Sequence, residues 1–125
     1  MEQVKQKTIL VIDDDPEFVA PLSTFLEGHG YRVLKAFDAT VGIKHANKET
    51  VDLITLDLGL PGGGGLFALR NLRKIGKSAN LPILISTANV TPGIEKEVLG
   101  MGASDFIAKP YDLETLLEKI KAFLG

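Results

Sequence analysis

Acidic, hydroxyl and ammonium side chains that could handle a phosphoryl group stand at four separated points of the chain. They are Asp13 and Asp14, then Asp57, Thr87 and Lys109. Proteins usually hold Mg²⁺ through one or two carboxylates together with waters and a phosphate. A carboxylate can also act as a nucleophile and form an aspartyl phosphate, while an ammonium and a hydroxyl can hold the oxygens of the transferred group. These side chains therefore have the parts for metal-assisted phosphoryl transfer, provided that the fold brings them together.

Taken one at a time, these residues and their neighbours also have plain structural interpretations. Asp15 precedes a proline and is expected to be a helix N-cap rather than a ligand. Asp13 and Asp14 alone could be turn residues, and Thr87 alone could be an ordinary strand residue. Two carboxylates at ~4 Å repel by about 4 kcal/mol at an effective dielectric of about 20. A divalent cation and the Lys109 ammonium would offset that repulsion, so the combination, rather than any one residue, indicates a site.

Short apolar runs alternate along the chain with longer stretches of helical spacing. The runs rich in β-branched residues cover 8–13, 31–36, 52–57, 82–87 and 105–109. The helical stripes consist of Phe18, Leu22, Phe25 and Leu26, of Leu66, Leu69, Leu72 and Ile75, and of Leu113, Leu116, Leu117, Ile120, Phe123 and Leu124, with weaker patterns at 39–48 and 92–100. Such spacings are typical of one face of a helix. The pattern predicts five strands alternating with five helices, of which the fourth is the least stable.

This alternation predicts an α/β fold with a parallel sheet. The first, third and fourth runs are almost wholly apolar, as expected for strands buried on both faces, so we place the second and fifth at the edges. The strand order 2-1-3-4-5 satisfies this with right-handed crossovers and helices on both faces. In that order the carboxyl ends of the strands bring all the candidate residues to one rim of the sheet. Asp15, Asp38 and Asp112 are the predicted N-caps of the first, second and fifth helices.

The composition argues against several other classes of protein. The chain has 125 residues, with 14 Lys and Arg against 16 Asp and Glu for a formal net charge of −2, and 45% hydrophobic residues. This length and balance fit one globular domain rather than a disordered chain. The mild acidity argues against direct nucleic-acid binding, and we expect neither a membrane span nor a signal peptide. The absence of cysteine excludes disulfides and thiolate metal sites and agrees with a cytoplasmic location.

Four motifs carry a resemblance to a known family. They are ILVIDDDP, DLITLDLGLPGGGG, PILISTA and GASDFIAKPYD. Together they make the sequence similar to the receiver (CheY-like) domain of two-component response regulators over essentially its whole length. The resemblance implies a (βα)5 flavodoxin-like fold, with one receiver domain at 1–125 and an ordered core at about 7–124.

The same resemblance implies a role for each acid at the rim. Asp57 would be the phosphoacceptor. Mg²⁺ would be the metal cofactor, bound directly by Asp14, largely through water by Asp13, and by Asp57 and the backbone carbonyl of Gly59. No organic cofactor is implied.

The remaining site residues are assigned by the same resemblance. Thr87 and Lys109 would contact the phosphoryl group. Thr87 would also act in the switch together with Phe106, which stands where the family places its switch aromatic. The peptide between Lys109 and Pro110 is similar to one that is commonly cis in this family.

Two departures from the family pattern lie beside the acceptor. Gly59 stands where receivers often carry a polar or larger side chain, so this position can neither orient nor block an attacking water. The glycines at 62–65 replace a more usual Pro-Gly-x-Asp-Gly sequence and predict a loop that is mobile when no metal is bound. The lifetime of a phosphorylated form is therefore open, and Asn89, two residues after Thr87, is the other residue expected to tune it.

The implied function is that of a phosphorylatable signalling switch. A partner histidine kinase or phosphotransfer protein would donate a phosphoryl group from phosphohistidine to Asp57 with Mg²⁺. The surface of the fourth helix, fifth strand and fifth helix would then change and control a downstream protein. The chain would assist its own phosphorylation and dephosphorylation without being a turnover enzyme. Neither nucleic acid nor a membrane is expected as a direct partner.

Two alternatives stay open on the sequence. The glycine-rich departure motivates a receiver-like module that binds a protein independently of phosphorylation. The spacing Asp13-x-Asp15 is similar to the nucleophile motif of phosphatases of the haloacid-dehalogenase type. That second alternative needs a longer chain, and it leaves Asp57 without a role.

Overall fold

Apolar, β-branched runs form the strands, and the stretches between them form the helices. The computed structural model describes residues 5–74 and 76–125. In this part of the chain the strands are β1 (Thr8–Ile12), β2 (Arg32–Ala36), β3 (Leu53–Leu56), β4 (Ile83–Thr87) and β5 (Asp105–Ala108). The helices are α1 (Pro16–Gly28), α2 (Ala39–Lys48), α3 (Gly64–Lys74), α4 (Ile94–Gly100) and α5 (Leu113–Leu124), and short 3₁₀ turns lie at Pro61–Gly63 and Lys77–Asn80. Among the described residues, no helix is long and apolar enough to cross a membrane.

The strands form one parallel sheet in the order β2-β1-β3-β4-β5, which confirms the predicted topology. Every residue of β1, β3 and β4 is buried, whereas most of β2 is exposed or half-buried. Strands covered on both faces carry apolar side chains on both faces. For this reason the position of each strand in the sheet follows from its composition, and the (βα)5 flavodoxin-like fold is the one expected.

Helices cover both faces of the sheet, and successive side chains of a strand enter two different cores. In β1, Ile9 and Val11 join the core beneath α1 and α5, while Leu10 and Ile12 join the core beneath α2, α3 and α4. Each buried aliphatic side chain stabilises the fold by about 1.5–3 kcal/mol. A slip of one residue would exchange the two sets between faces, so this packing sets the register and, with it, which residues reach the rim.

Polar caps begin α1 and α2 as predicted. The Asp15 carboxylate accepts a hydrogen bond from the backbone N–H of Glu17 (3.0 Å), and the Asp38 carboxylate accepts one from Val41 (2.8 Å). These bonds satisfy N–H groups that have no partner within the helix. The prediction for Asp112 is only half right, because it stands at the N-cap position of α5 but its side chain makes no capping hydrogen bond.

The predicted helical stripes face the two cores with one exception among the described residues. Phe123 is 40% exposed, because it lies at the margin of the stripe that Leu116, Leu117 and Ile120 bury. Ile75, the last residue predicted for the third stripe, lies outside the described residues.

Arg73, in the last turn of α3, joins three segments of the chain. Its guanidinium donates hydrogen bonds to the carbonyl oxygens of Ser78 (2.9 Å), Ala79 (3.2 Å) and Gly102 (2.8 Å) and to the hydroxyl of Ser104 (3.4 Å). Hydrogen bonds to a charged group contribute about 1.5–3 kcal/mol each. Because they share one side chain and are not additive, we expect Arg73→Ala to lower the free energy of unfolding by about 2–4 kcal/mol in urea denaturation.

The matched control for this prediction is Arg70→Ala, at an exposed position of the same helix. We expect it to change the free energy of unfolding by less than about 0.5 kcal/mol. Equal losses in the two variants would mean that helix propensity, rather than the hydrogen bonds of Arg73, accounts for the effect.

Candidate functional site

The acids that the sequence singles out lie side by side at the carboxyl end of the sheet. β1 and β3 are neighbours, with Ile12 level with Leu56, so Asp13 and Asp57 each lie one residue past a strand end. The backbone N–H of Asp57 donates to the carbonyl oxygen of Ile12 (3.0 Å), which extends the pairing of the two strands to Asp57. One carboxylate oxygen from each of Asp13, Asp14 and Asp57 lies within 4.8 Å of the others.

Lys109 and Thr87 reach the same acids from β5 and β4. The Lys109 ammonium lies 2.6 Å from Asp13 Oδ2 and 3.7 Å from Asp57 Oδ2. The Thr87 hydroxyl donates a hydrogen bond to Asp57 Oδ1 (2.7 Å). The fold therefore brings together the acids, the hydroxyl and the ammonium, which the chain order separates by up to 96 residues.

Backbone N–H groups complete the surroundings of these side chains. The N–H of Gly59 donates to Asp57 Oδ1 (2.9 Å), and the N–H of Asn89 donates to the Thr87 hydroxyl oxygen (3.0 Å). Asp57 Oδ1 thus accepts two hydrogen bonds, from Thr87 and Gly59, whereas Oδ2 faces the Lys109 ammonium. The two oxygens of the carboxylate are therefore inequivalent, with one held by neutral donors and the other left beside a cation.

Burial and charge act on the acids in opposite directions. Asp13 is 2% exposed, and this burial raises the pKa of its carboxyl above the ordinary value. The hydrogen bonds from Lys109 and from the Asp15 N–H, together with the Lys109 charge, oppose that increase, while the Asp57 charge adds to it. Three carboxylates and one ammonium share the site, so it carries excess negative charge in a partly desolvated place.

This donor set fits a hard divalent cation such as Mg²⁺. Oxygen ligands at this spacing, with Asp14 exposed at the mouth and Asp13 and Asp57 buried behind it, are the kind through which Mg²⁺ is held alongside waters and phosphate oxygens. Such an ion would also neutralise the negative charge of the three carboxylates that the single Lys109 ammonium does not balance. The part assigned to the Gly59 carbonyl stays a prediction.

Phe106, the residue expected to act in the switch, lies on β5 with its ring in the core beneath α4. It is 8% exposed and belongs to the same cluster as Ile94, Val98 and Ala103. Phe106 is level with Ile85 of β4, two residues before Thr87. The two residues predicted for the switch therefore lie on adjacent strands, and α4 packs against one of them.

Two aromatic residues at the site were not singled out by the sequence. The Lys109 ammonium lies 3.9 Å from the centre of the Phe18 ring, and the Tyr111 ring meets Phe18 edge to face at 6.1 Å between centres. The Tyr111 hydroxyl is hydrogen-bonded to that of Ser86 (2.7 Å). In the sequence, Phe18 is recognisable only as a member of an apolar stripe. The stripe predicts that Phe18 lies on the inward face of its helix, but it does not predict the contact with Lys109.

Ionisation of the Tyr111 hydroxyl makes the free energy of unfolding depend on pH. Burial raises the pKa of Tyr111 to about 12, aided by the charges of Asp13 and Asp57 and opposed by the Ser86 hydrogen bond. The native state therefore holds this proton more tightly than the unfolded chain, whose tyrosines ionise near pH 10. That advantage is complete below about pH 10 and is lost as the pH rises through about 12.

We expect Tyr111→Phe to remove this component of the pH dependence. Between about pH 9 and 12 the parent should lose about 2 kcal/mol of unfolding free energy more than the variant. Denaturant titrations at each pH measure both proteins, and their difference cancels the lysines that also titrate there. Parallel losses in the two proteins would contradict the prediction.

Comparisons with known proteins identify the family and the fold of the chain. A family model described as the response regulator receiver domain matches residues 9–121. The chain belongs to this family. It is similar to Protein PilH of Pseudomonas aeruginosa, with 36% identity over 117 residues that cover 94% of this chain and 97% of PilH. The chain spans about half the length of several other curated relatives that it matches.

Solved structures of receiver domains superpose on the chain. Vibrio cholerae chemotaxis protein CheY4 has a TM-score of 0.88 at 27% identity, covering 95% of this chain and 99% of CheY4. A Burkholderia pseudomallei response regulator with a phosphorylated aspartic acid, a calcium ion and citrate has a TM-score of 0.81 at 29% identity, covering 94% of this chain and 72% of that one.

Because the chain belongs to this family, its general function is known. The chain is the receiver domain of a two-component response regulator, a phosphorylatable signalling switch rather than a turnover enzyme. Response regulators interact with histidine kinases or phosphotransfer proteins and with downstream targets, and receiver domains bind Mg²⁺ at an acidic pocket. In this chain Asp13, Asp14 and Asp57 form an acidic cluster at the carboxyl end of the sheet.

Proposed function

We propose that Asp57 is the phosphoacceptor and that a partner histidine kinase or phosphotransfer protein supplies the phosphoryl group from a phosphohistidine. The observation that carries this proposal is the surroundings of one carboxylate. Asp57 lies 2.7 Å from the Thr87 hydroxyl and 3.7 Å from the Lys109 ammonium, with the oxygens of two other acids within 4.8 Å. A phosphorylated aspartic acid and a calcium ion occur together in the Burkholderia pseudomallei relative, which supports the same pairing here.

Each residue has a defined part in the transfer. A carboxylate oxygen of Asp57 forms the new bond to phosphorus while the bond between phosphorus and the imidazole nitrogen breaks, and the imidazole keeps that electron pair. Lys109 and Thr87 bind the oxygens of the transferred group, which carry its charge. Asp13, Asp14, Asp57 and the backbone carbonyl of Gly59 would hold Mg²⁺. When bound, this ion neutralises negative charge and orients phosphate oxygens.

The same residues let the chain assist both its own phosphorylation and the loss of the phosphoryl group. Gly59 is exposed, and a Cβ there would lie 3.4 Å from Asp57 Oδ1. Any side chain at this position would therefore stand against the acceptor, and glycine leaves that side open to water. Asn89 is the other residue proposed to tune the lifetime of the phosphorylated form. Its backbone N–H donates a hydrogen bond to the Thr87 hydroxyl, so it lies next to the side chain that would bind the phosphoryl group.

The switch proposed for Thr87 and Phe106 acts on the surface of α4, β5 and α5. Phosphorylation adds about −2 of charge at Asp57, and Thr87 now bonds that residue. Among the helices of the described residues α4 is the shortest, and it buries only Ile94 and Val98. An element with so few buried contacts can change its position at small cost, and the altered surface would then control a downstream protein.

The setting of the switch is part of the proposal. We take residues 1–125 as a single receiver domain with an ordered core of about 7–124. We propose that it works in the cytoplasm, in agreement with a chain that has no cysteine, and that it contacts neither nucleic acid nor a membrane directly. A module that binds its partner independently of phosphorylation is the alternative function. Against it stands the complete set of acids, hydroxyl and ammonium, for which protein binding alone has no use.

The experiment that tests the acceptor uses a small donor with a phosphorus–nitrogen bond. Incubation with phosphoramidate and Mg²⁺ should add about 80 Da, the mass of one phosphoryl group, in intact-mass spectrometry. Asp57→Asn should abolish the adduct, and so should chelation of Mg²⁺. Asp112→Asn makes the same change at an exposed acid whose side chain caps no helix, and it should leave the adduct intact. A parent chain without the adduct, or an adduct that survives Asp57→Asn, would refute the assignment.

A further inference from the structure

We infer that Phe18 is a positioning residue that keeps the Lys109 ammonium beside Asp57, through contact of the cation with the face of the ring. The inference rests on the proposed function of Lys109. Its starting observation is that the Lys109 ammonium lies 3.9 Å from the centre of the Phe18 ring. Cations are attracted to aromatic faces within about 6 Å of the ring centre.

The ammonium needs such a contact because the carboxylates alone do not define its position. Lysine carries its charge on a flexible four-carbon stem. The nearest carboxylate is Asp13, at 2.6 Å, while Asp57 lies at 3.7 Å, so attraction by the acids alone favours the residue that is not the acceptor. The Phe18 ring attracts the ammonium as well, from a helix that carries neither carboxylate. The Lys109 side chain is only 15% exposed.

The Phe18 ring is itself held by the fold. It is half-buried on α1, next to the fully buried Val19. The Tyr111 ring packs against it edge to face, with an interplanar angle of 80°. Tyr111 in turn is fixed by the Ser86 hydroxyl on β4. A chain of contacts therefore runs from Ser86 on β4 through Tyr111 to the Phe18 ring on α1. The Phe18 ring, held in this way, is in turn in contact with the Lys109 ammonium.

Desolvation makes this contact stronger than it would be at the surface. A cation is attracted to an aromatic face more strongly when it is desolvated than when it is exposed. With only 15% of its side chain exposed, Lys109 is close to the desolvated case. The Phe18 ring carries no charge and offers Mg²⁺ no ligand atom, so its removal should act on the rate of transfer rather than on the affinity for the metal.

The experiment measures the rate of phosphorylation by phosphoramidate at saturating Mg²⁺, followed by intact mass. We expect Phe18→Leu to lower the rate constant by about 3- to 20-fold, with the Mg²⁺ dissociation constant unchanged within about twofold. Phe18→Tyr retains the ring face and should keep most of the parent rate. Phenylalanine analogues with one, two and three ring fluorines at position 18 keep the shape but weaken the negative face, so the rate constant should fall stepwise.

The control is Phe25→Leu, the same change at another half-buried phenylalanine of α1, whose ring packs on His29 instead. It should leave the rate constant unchanged within about twofold. If the parent phosphorylates normally and the fluorinated series is flat, the inference is overturned even where Phe18→Leu is slow, because packing alone would then explain the loss. A parent that takes up no phosphoryl group overturns the proposed function instead, so the two failures are distinguishable.

Discussion

Replacing Lys109 with methionine will slow phosphorylation of Asp57 by about 10²- to 10³-fold and, at the same time, tighten Mg²⁺ binding. In the proposed transfer, the ammonium beside Asp57 Oδ2 is a fixed positive group that stabilises the charge of the transferred phosphoryl group. The rate falls because removal of one such group costs about this much. The affinity rises because the same ammonium lies 2.6 Å from Asp13 Oδ2 and repels a cation bound by that acid. We expect the dissociation constant of Mg²⁺ to fall by about 3- to 10-fold.

The ion pair between Lys109 and Asp13 also affects the stability of the fold. Asp13 is 2% exposed, and without Lys109 its carboxylate loses its ion-pair partner, which is costly for a buried charge. We expect Lys109→Met to lower the free energy of unfolding by about 2–3 kcal/mol without Mg²⁺, and millimolar Mg²⁺ to restore more of it in the variant than in the parent.

The measurements for this prediction are calorimetric Mg²⁺ titration, the rate of adduct formation and urea denaturation with and without Mg²⁺. Lys119→Met is the matched control, because Lys119 also pairs with an acid, Asp105, at 2.9 Å, but on the side of α5. It should leave both the rate and the Mg²⁺ affinity unchanged. Weaker Mg²⁺ binding in Lys109→Met would mean that the lysine organises the acids rather than competing with the metal for them.

The rim of the sheet could be predicted because it depends on topology rather than on side-chain detail. Almost wholly apolar runs predict central strands and mixed runs predict edge strands, and this difference gives the strand order. A parallel sheet then puts the carboxyl end of every strand on the same side. Asp13 and Asp57 follow neighbouring strands that are in register, so their proximity requires no knowledge of rotamers. The same argument places Thr87 and Lys109 at the ends of β4 and β5.

The contacts around that rim could not be predicted, since they depend on which rotamers pack together. An apolar stripe shows that Phe18 faces inward, but not that its ring lies under the Lys109 ammonium. The pairing of Tyr111 with Ser86 joins residues whose neighbourhood is set by the path of the segment after β5. The exposure of Phe123 is a similar case, because the margin of a stripe is decided by the neighbours that pack there.

The glycines at 62–65 occupy different places in the fold, which composition alone does not show. The mobility of this segment without bound metal stays a prediction, but the structure divides its four glycines between two elements. Gly62 and Gly63 have φ of 66° and 74° within a 3₁₀ turn, a region that other residues rarely adopt. Gly64 and Gly65 begin α3. The four glycines therefore meet different structural requirements. At Gly65 the requirement is close packing against the backbone of Asp57, the proposed acceptor, and of Leu58.

Gly65→Ala will destabilise the fold by more than about 3 kcal/mol and will reduce phosphorylation in whatever remains folded. A Cβ at this position would lie 2.4 Å from the Leu58 Cα and 2.7 Å from the carbonyl oxygens of Asp57 and Leu58. All three atoms are backbone, so no side chain can turn aside, and the start of α3 must move away from the segment that holds the acceptor. Forced overpacking of this kind costs about 1–3 kcal/mol and occasionally more, and this clash is with an anchored main chain.

Gly100→Ala is the control that separates this clash from helix propensity. It makes the same change in a helix, α4, where a Cβ meets nothing within 4 Å. Alanine is favoured over glycine in a helix by about 1 kcal/mol, so this variant should gain stability by roughly 0.5–1 kcal/mol. Urea denaturation compares the two variants, and opposite signs are expected. Stabilisation by Gly65→Ala would mean that α3 can shift without cost, and the close approach of α3 to Asp57 would then have no part in positioning the acceptor.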